Sequence, residues 1–219
     1  MAKRPGAHRE PPGVPRGDAV AALCASDPVL AGLIEAVGTL DEEARAAGRP
    51  TDPYGSLLRS IVGQQLSTLA ARTIYGRVAA LFDDRAPTPA EMLAADPDEL
   101  RACGLSRPKI AYLRDLAEHV ESGELAVDRL HELSDDEVIA QLTAVKGLGQ
   151  WTADMFLIFH LDRPDVLPVG DLGIRRAAER AYGLPDLPDA KTLTGIAEPW
   201  RPNRSLASLY LWRSLDNTP

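Results

Sequence analysis

Apolar residues recur every three to four positions along almost the whole chain from Ala19 onward, which is the period of an amphipathic helix. The longest such pattern runs from Tyr54 to Phe82. We expect it to break near Gly63, because an uninterrupted helix of that length is unusual in a compact domain. Alternating Val, Ile, Thr and aromatic runs, which predict strands, are nearly absent from the sequence. The pattern therefore predicts an all-α protein of about ten to twelve short helices.

Helix start signals place several of these boundaries. Thr88-Pro-Ala-Glu91 and Ser134-Asp-Asp-Glu137 each fit a capping box, and Asp96 precedes a proline that opens another short helix. Residues 100–109 follow the order helix, glycine turn, helix, and residues 142–153 repeat that order. The sequence thus predicts two helical hairpins of the same plan.

Composition divides the chain into a short arm and a helical body. Residues 1–18 carry basic side chains among prolines and glycines with almost nothing apolar, which predicts a disordered basic arm whose role stays open. No linker rich in Pro, Gly and Ser interrupts residues 19–219, so we expect one body. Within it we expect a central helical bundle at about 55–165, with a second lobe formed by about 19–54 and 166–219.

Length and composition set modest limits on function. The chain has 219 residues, of which 45% are hydrophobic and 26% charged, as in ordinary soluble globular proteins. No apolar run approaches the roughly 18 residues of a membrane span, and no secretory signal follows Met1. Cys24 and Cys103 are too few for a disulfide framework or a four-cysteine iron–sulfur cluster. We therefore expect a cytoplasmic protein, a monomer, without an iron–sulfur cluster and without a membrane partner.

The net charge of −8 argues mildly against a nucleic-acid partner, because neutralising phosphates is the usual source of affinity. Residues 166–219 nevertheless hold seven Arg and Lys against six Asp and Glu, so the acidic excess lies in the first 165 residues. Backbone N–H groups also bind phosphate without any lysine. The charge therefore does not exclude DNA.

Two glycines one residue apart, Gly147 and Gly149, separate two apolar helical patterns. The backbone of such a turn can approach a ligand closely, and the unpaired N–H groups that begin the second helix form a seat for a phosphate. The alternative is an ordinary helix that ends at a glycine, and the spacing alone leaves both readings open.

Asp171 follows this hairpin by about twenty residues and precedes another amphipathic pattern. One reading is structural, since Asp at a helix N-cap is worth about 1 kcal/mol. The other is chemical: an ionised carboxylate at that place could stabilise positive charge built up at a sugar C1′. The two readings are compatible.

Together these residues resemble a known family. Val145–Ala153 with the Gly170-Asp171 pair is similar to the helix-hairpin-helix Gly/Pro-Asp (HhH-GPD) superfamily of DNA glycosylases. More narrowly, three further segments resemble its 3-methyladenine DNA glycosylase II (AlkA-like) group: Leu58–Ser67, Gly104–Lys109 and Trp200–Trp212. The resemblance implies a two-lobed helical fold. Relatives often carry an N-terminal α/β domain, which we expect to be missing because only about 50 residues precede the first motif.

The resemblance also implies a site in which a base is flipped out of the duplex. It assigns Asp171 as the catalytic residue and predicts no required cofactor, with a structural Na⁺ or K⁺ at the hairpin. The residues that it implies for phosphate binding are Gly147, Leu148, Gly149 and Thr152, and the backbone carbonyls that would hold the cation belong to Thr143, Val145 and Leu148. The intercalating wedge would be Gln65, Gln64 or Leu66, with Gln65 as first choice. The walls of the base pocket would come from Trp212, Tyr210 and Trp151.

Trp151 lies where superfamily members that also nick the DNA backbone carry a nucleophilic lysine, and an indole cannot form a Schiff base. A single carboxylate also suffices only for a good leaving group, such as a cationic N-alkylated purine. We therefore predict a monofunctional glycosylase of base excision repair that removes 3-methyladenine and 7-methylguanine from double-stranded DNA, nucleoid-associated if bacterial. A non-catalytic hairpin module that binds damaged DNA, and a glycosylase for a neutral lesion (uracil, hypoxanthine or an oxidised purine), remain as alternatives.

Overall fold

The computed structural model describes residues 16–40 and 51–216. Within these ranges the chain forms twelve α-helices and two 3-10 helices, and no strand. The prediction of an all-α protein is therefore confirmed. Residues 1–15 of the expected arm lie outside the described residues, whereas residues 16–18, also assigned to that arm, begin the first helix.

The helices are numbered in chain order. Their bounds are α1 Arg16–Ser26, α2 Pro28–Val37, α3 Pro53–Gly63, α4 Thr68–Ala80, α5 Pro89–Ala94, α6 Pro97–Ala102, α7 Arg107–Glu121, α8 Asp135–Ala144, α9 Gln150–Phe159, α10 Leu172–Tyr182, α11 Ala190–Ile196 and α12 Arg204–Asp216. The 3-10 helices span Val127–Glu132 and Glu198–Trp200. No helix among the described residues is long and apolar enough to cross a bilayer.

The described residues fall into two compact units. The terminal unit consists of 16–40 and 172–216, and the central unit consists of 51–171. Residues 51–54 and 166–171, which the sequence pattern placed with the second lobe, thus belong to the central unit. Tyr54 shows why, since its ring is buried in the first turn of α3.

The terminal unit is organised around a buried carboxylate. Asp27 caps α2 by accepting hydrogen bonds from the backbone N–H groups of Val29 and Leu30. Its other oxygen accepts from the hydroxyl of Tyr182 and, at 2.8 Å, from Nε1 of Trp200. Because a buried charge is tolerated only when it is hydrogen-bonded, this network fixes α2, α10 and the second 3-10 helix against each other. Trp200 is fully buried there, as expected for a core residue.

Local signals set the helix boundaries of the central unit. The long apolar pattern breaks as predicted, with α3 ending at Gly63 and α4 starting at Thr68. Both predicted capping boxes form, at Thr88 before α5 and at Ser134 before α8, and Asp96 caps α6. Each cap satisfies N–H groups that the first turn of a helix leaves without a partner.

Candidate active site

The hairpin between α8 and α9 has the geometry that its two glycines predict. Gly147 adopts a φ of +84°, in the left-handed region that L side chains avoid. A Cβ on this residue would also collide with the ring of Tyr112. Gly149 is the N-cap of α9, and a Cβ there would meet open space. No side chain of the described residues caps α9, so the first N–H groups of that helix remain available to a ligand.

A buried carboxylate supports this hairpin from beneath. Oδ2 of Asp115 in α7 accepts the backbone N–H of Lys146 at 2.8 Å, and Oδ1 accepts from the Lys146 ammonium at 2.8 Å. Burial raises the pKa of Asp115, but the hydrogen bonds from Lys146 outweigh it and the pKa lies below its ordinary value. The Lys146 amine is therefore engaged in an ion pair.

The turn after α3 is tied to both hairpins. Nε2 of Gln64 donates a 2.7 Å hydrogen bond to the carbonyl of Gly147. The ammonium of Lys109, from the hairpin at 100–109, donates to the carbonyls of Val62 and Gln64 at 2.8 and 2.7 Å. These contacts hold the last carbonyls of α3.

The two residues that follow Gln64 project from this turn. Gln65 is exposed and has a φ of +60°, which is uncommon for a residue other than glycine. Leu66 is 37% exposed, a large fraction for an apolar side chain in a compact unit. Of the three wedge candidates, Gln64 is thus committed to the hairpin, whereas Gln65 and Leu66 face solvent.

Asp171 lies at the end of a short turn, where its N–H donates to the carbonyl of Pro168 at 2.9 Å, directly before α10. Its Oδ2 accepts a 2.6 Å hydrogen bond from Nε1 of Trp151. Trp151 is 45% exposed and is therefore not a core residue. The indole that occupies the position after the hairpin thus orients the carboxylate twenty residues downstream.

Trp151 also lines a cleft of about 770 Å³, and the lining of this cleft belongs entirely to the central unit. One wall is the exposed face of α9, along which Trp151, Met155 and Phe159 follow each other at helical spacing. Serines and arginines of α3 and α4 line it as well. Its main lining side chains are Ser56, Arg59, Ser60, Arg72, Tyr112, Trp151, Met155, Phe156, Phe159 and His160.

His160 ends the aromatic wall of the cleft. Its ring stacks on Phe156 with centroids 4.7 Å apart, and Nδ1 lies 3.0 Å from the hydroxyl oxygen of Ser56. Burial lowers the pKa of His160, so the imidazole is neutral at pH 7. The described lining is therefore aromatic and hydroxylated, and its arginines supply the positive charge.

The remaining predicted residues are placed as follows. Tyr210 is buried and Trp212 half-buried in α12, so both belong to the terminal unit, whereas Trp151 belongs to the central unit. Thr152 lines the cleft but is only 4% exposed, so its hydroxyl has little access to solvent. The cation candidates cluster around the end of α8: Thr143 in its last turn, Val145 as its C-cap, and Leu148 in the hairpin.

Sequence reasoning missed the residues that support the site. The family motifs include Lys109 without giving it a role, and they include neither Asp115 nor the stretch from Met155 to His160. The helical spacing of Trp151, Met155 and Phe159 was a signal for a common face, but an apolar stripe predicts a core more often than a cleft. Nothing in the sequence pairs Lys109 with Gln64.

A family model for the HhH-GPD superfamily of base excision DNA repair proteins matches residues 58–202. That range contains the turn after α3, both hairpins and Asp171. The chain belongs to this superfamily.

Individual relatives within the superfamily agree with this assignment. DNA-3-methyladenine glycosylase 1 of Schizosaccharomyces pombe is 38% identical over 165 residues, which cover 74% of this chain and 72% of the relative. The structure of S. pombe 3-methyladenine DNA glycosylase in complex with abasic DNA matches with a TM-score of 0.80 at 34% identity, covering 89% of this chain and 95% of that one.

A DNA-3-methyladenine glycosidase from Bacillus halodurans matches with a TM-score of 0.79 at 40% identity, covering 91% of this chain and 89% of the other. This HhH-GPD chain therefore shares its fold over most of its length with two solved glycosylases. The resemblance inferred from four short motifs is confirmed, and so is the helical fold that it implied.

Proposed function

We propose that this protein is a monofunctional DNA glycosylase that flips alkylated bases such as 3-methyladenine and 7-methylguanine out of double-stranded DNA and hydrolyses their N-glycosidic bonds. The observation that carries the proposal is the contact between Trp151 and Asp171. It orients the carboxylate of Asp171 through an indole that lines an aromatic cleft, and this indole fills the position that a nucleophilic lysine would need.

The reaction follows from the charges. In an N3- or N7-alkylated purine the base is already cationic, so the electron pair of the C1′–N bond leaves with it and the base departs neutral. Positive charge then builds up on the sugar, where the carboxylate of Asp171 stabilises it. Water adds to C1′ and gives up a proton, with Asp171 as the acceptor, and an abasic site remains. The hydrogen bond to Asp115 raises the pKa of Lys146 and keeps its amine protonated, so it is a poor nucleophile for a Schiff base.

The cleft favours a cationic base over a neutral one. Neutral leaving groups need a proton, and among the lining residues His160 is the one whose ordinary pKa would suit that task. Because burial lowers its pKa, the His160 side chain is neutral at pH 7 and has no imidazolium proton to donate. Electron-rich rings such as Trp151 attract a cation, which gives the alkylated base a further advantage.

DNA binding rests on backbone groups as well as on charge. The uncapped N-terminus of α9 behind Gly149 would hold one phosphate, with N–H groups of Gly149 and of the first turn as donors. Arg59 and Arg72 bring positive charge to the cleft. Gln65, exposed at the turn after α3, would fill the gap that the flipped base leaves in the stack.

A monovalent cation fits next to this hairpin. Because α8 ends at Ala144, the carbonyls of its last turn have no hydrogen-bond partner within the helix. The Val145 carbonyl accepts the N–H of Leu148 at 3.1 Å and keeps a second lone pair for a ligand. Neutral carbonyl oxygens of Thr143, Val145 and Leu148 would hold Na⁺ or K⁺, which would add positive charge near the phosphate. The described residues contain no cluster of three His, Cys, Asp or Glu suited to a transition metal.

Replacing Asp171→Asn tests the proposal directly. We expect base release from duplexes with 7-methylguanine to fall roughly 100- to 1,000-fold, because an electrostatic stabiliser of the transition state is lost. Affinity for a duplex with an abasic analogue should stay within about threefold, since the phosphate contacts remain. The matched variant Trp151→Phe keeps an aromatic ring but loses the indole N–H, and its rate of base release should fall about tenfold.

The assay scores abasic sites with and without alkali, on duplexes carrying 7-methylguanine, hypoxanthine or uracil. Strand breaks before alkali treatment would contradict the monofunctional reaction. Release of hypoxanthine or uracil at rates equal to that of 7-methylguanine would favour the neutral-lesion alternative. A wild-type protein that binds lesion DNA without releasing any base would favour the non-catalytic module.

A further inference from the structure

The turn at Gln65 is unusual in how it ends a helix. Helices commonly stop at a glycine in the left-handed region, but here Gly63 is still helical and the left-handed residue is Gln65. Placing a residue with a Cβ in that region costs about 1 kcal/mol. Such a conformation persists only where surrounding contacts impose it.

Lys109 supplies the contacts at the start of this turn. Its ammonium donates to the carbonyls of Val62 and Gln64, so it satisfies two acceptors at the end of α3 with a single cation. The negative end of the helix dipole favours a positive charge there. Lys109 is partly buried, and its desolvation lowers its pKa.

The other side of the turn is also fixed. The side chain of Gln64 donates to Gly147, and the N–H of Leu66 donates to the carbonyl of Gly63 at 3.2 Å. Gln65 lies between these anchored residues with its own side chain exposed. The geometry therefore directs one side chain outward from a turn whose backbone is held from the hairpin at 100–109.

We propose that Lys109 is a positioning residue, which holds the turn at Gln65 in the conformation that lets this side chain enter the DNA stack. The inference rests on the proposed function, in which Gln65 is the wedge. Lys109 would act through Gln65 without contacting the base or the sugar. Its loss should therefore weaken base flipping more than it weakens the chemistry at Asp171.

Fluorescence of 2-aminopurine separates flipping from chemistry. The base is placed beside a tetrahydrofuran abasic analogue in a duplex, where a wedge that enters the stack unstacks it and raises its emission. We expect Lys109→Met and Gln65→Ala to lose most of this rise, while Asp171→Asn keeps it. Lys191→Met, which removes an exposed lysine of α11, is the matched control and should behave as wild type.

Single-turnover release of 7-methylguanine gives the second readout. Because unstacking and unpairing cost a few kcal/mol, we expect Lys109→Met to be about 10- to 30-fold slower when the lesion is paired with cytosine. The defect should shrink to about threefold when the lesion stands opposite an abasic residue, because little pairing is left to break. Lys109→Arg, which keeps donors for both carbonyls, should restore at least half of the fluorescence rise.

Circular dichroism and thermal unfolding check that each variant folds. If Lys109→Met does not fold, Lys109→Gln replaces it, since its shorter and uncharged side chain keeps N–H donors but lacks the positive charge, and it should give an intermediate loss. Equal defects on paired and unpaired lesions with an intact fluorescence rise would overturn the proposal. If the wild type raises the emission but releases no base, the proposed function fails while the role of Lys109 stands.

Discussion

The central unit contains two helical hairpins built on one plan, and they differ at the residue that caps the second helix. In the hairpin at 100–109 the N-cap of α7 is Ser106, whose hydroxyl accepts the N–H of Lys109. In the hairpin at 142–153 the N-cap of α9 is Gly149, which has no side chain to offer. The first hairpin thus satisfies one N–H group of its second helix with its own side chain, whereas no side chain caps the second helix of the other hairpin.

The space around the turn glycine also differs between the two hairpins. Gly104 has a φ of +104°, and an added Cβ would come 3.2 Å from Cγ1 of Ile74. Gly147 lies against the ring of Tyr112, which an added Cβ would penetrate. An aliphatic side chain can give way by a few tenths of an ångström, but a ring held at that distance cannot. The same backbone plan thus forms a structural corner in the first hairpin and, under the proposed function, a binding element in the second.

The largest effect should come from exchanging these turn glycines for alanine. Gly147→Ala combines the left-handed φ with a collision, and we expect it to cost about 2–4 kcal/mol of unfolding free energy. It should also weaken binding to an abasic-analogue duplex about 100-fold, because the phosphate seat is displaced. Gly104→Ala should cost only about 1–2 kcal/mol and leave DNA affinity within about threefold. Urea denaturation and fluorescence anisotropy measure the two quantities.

The double variant Gly147→Ala with Tyr112→Ala sharpens this test. Removing the ring relieves the collision with the ring atoms, whereas the Cβ of residue 112, 2.9 Å from the added Cβ, and the strained φ both remain. Part of the lost stability should therefore return relative to the sum of the single effects. If Gly104→Ala weakened DNA binding as much as Gly147→Ala, the assignment of a structural role to the first hairpin and a binding role to the second would be wrong.

A smaller effect should follow from moving the cap between hairpins. In Gly149→Asp the new carboxylate can accept the free N–H groups of α9 and would occupy the phosphate seat with negative charge. We expect affinity for the abasic-analogue duplex to fall about 10- to 30-fold, while the unfolding free energy rises by about 0.3 kcal/mol. The open space around Gly149 admits this side chain without a clash.

Ser106→Gly is the reverse exchange and the control. It should lower the unfolding free energy by about 0.3 kcal/mol and leave DNA affinity within about twofold. Undiminished binding by Gly149→Asp would show that the N-terminus of α9 does not hold a phosphate.

The contrast between the hairpins also shows what the sequence could predict. Helix period, capping boxes and the break near Gly63 depend on neighbours within one or two turns, so pattern reasoning placed them correctly. The glycines of both hairpins were visible for the same reason. The ties between elements were not, because they join residues far apart in the chain: Gln64 and Gly147 are separated by 83 positions, and Lys109 and Gln64 by 45.

The same distinction between local and long-range contacts applies to the residues of the candidate site. Asp171 and the hairpin could be found because a family motif carries them at fixed spacing. The orienting bond from Trp151, by contrast, depends on how the chain folds back between α9 and Asp171, and residue spacing does not encode it. For the wedge, the sequence leaves three neighbouring residues open, and the long-range hydrogen bond of Gln64 distinguishes that side chain from the exposed Gln65 and Leu66.

The stabilisation that Asp115 gives to the second hairpin should depend on pH. Asp115→Asn removes an ionised acceptor of the Lys146 N–H, and we expect a cost of about 1–2 kcal/mol at pH 7. Because the pKa of Asp115 in the folded protein lies below its ordinary value, its stabilisation is complete above about pH 4 and is lost as the pH falls through the folded pKa. The difference in unfolding free energy between wild type and Asp115→Asn should therefore narrow from pH 7 to about pH 3.

Asp186→Asn, at an exposed position of the terminal unit, is the matched carboxylate control and should change stability little at either pH. Urea denaturation at several pH values gives the comparison. A difference between wild type and Asp115→Asn that stays constant down to pH 3 would mean that the shape of the side chain, and not its charge, holds Lys146. In that case the second hairpin would be fixed by packing against Tyr112, as the first is by packing against Ile74, and the two would differ only in their caps.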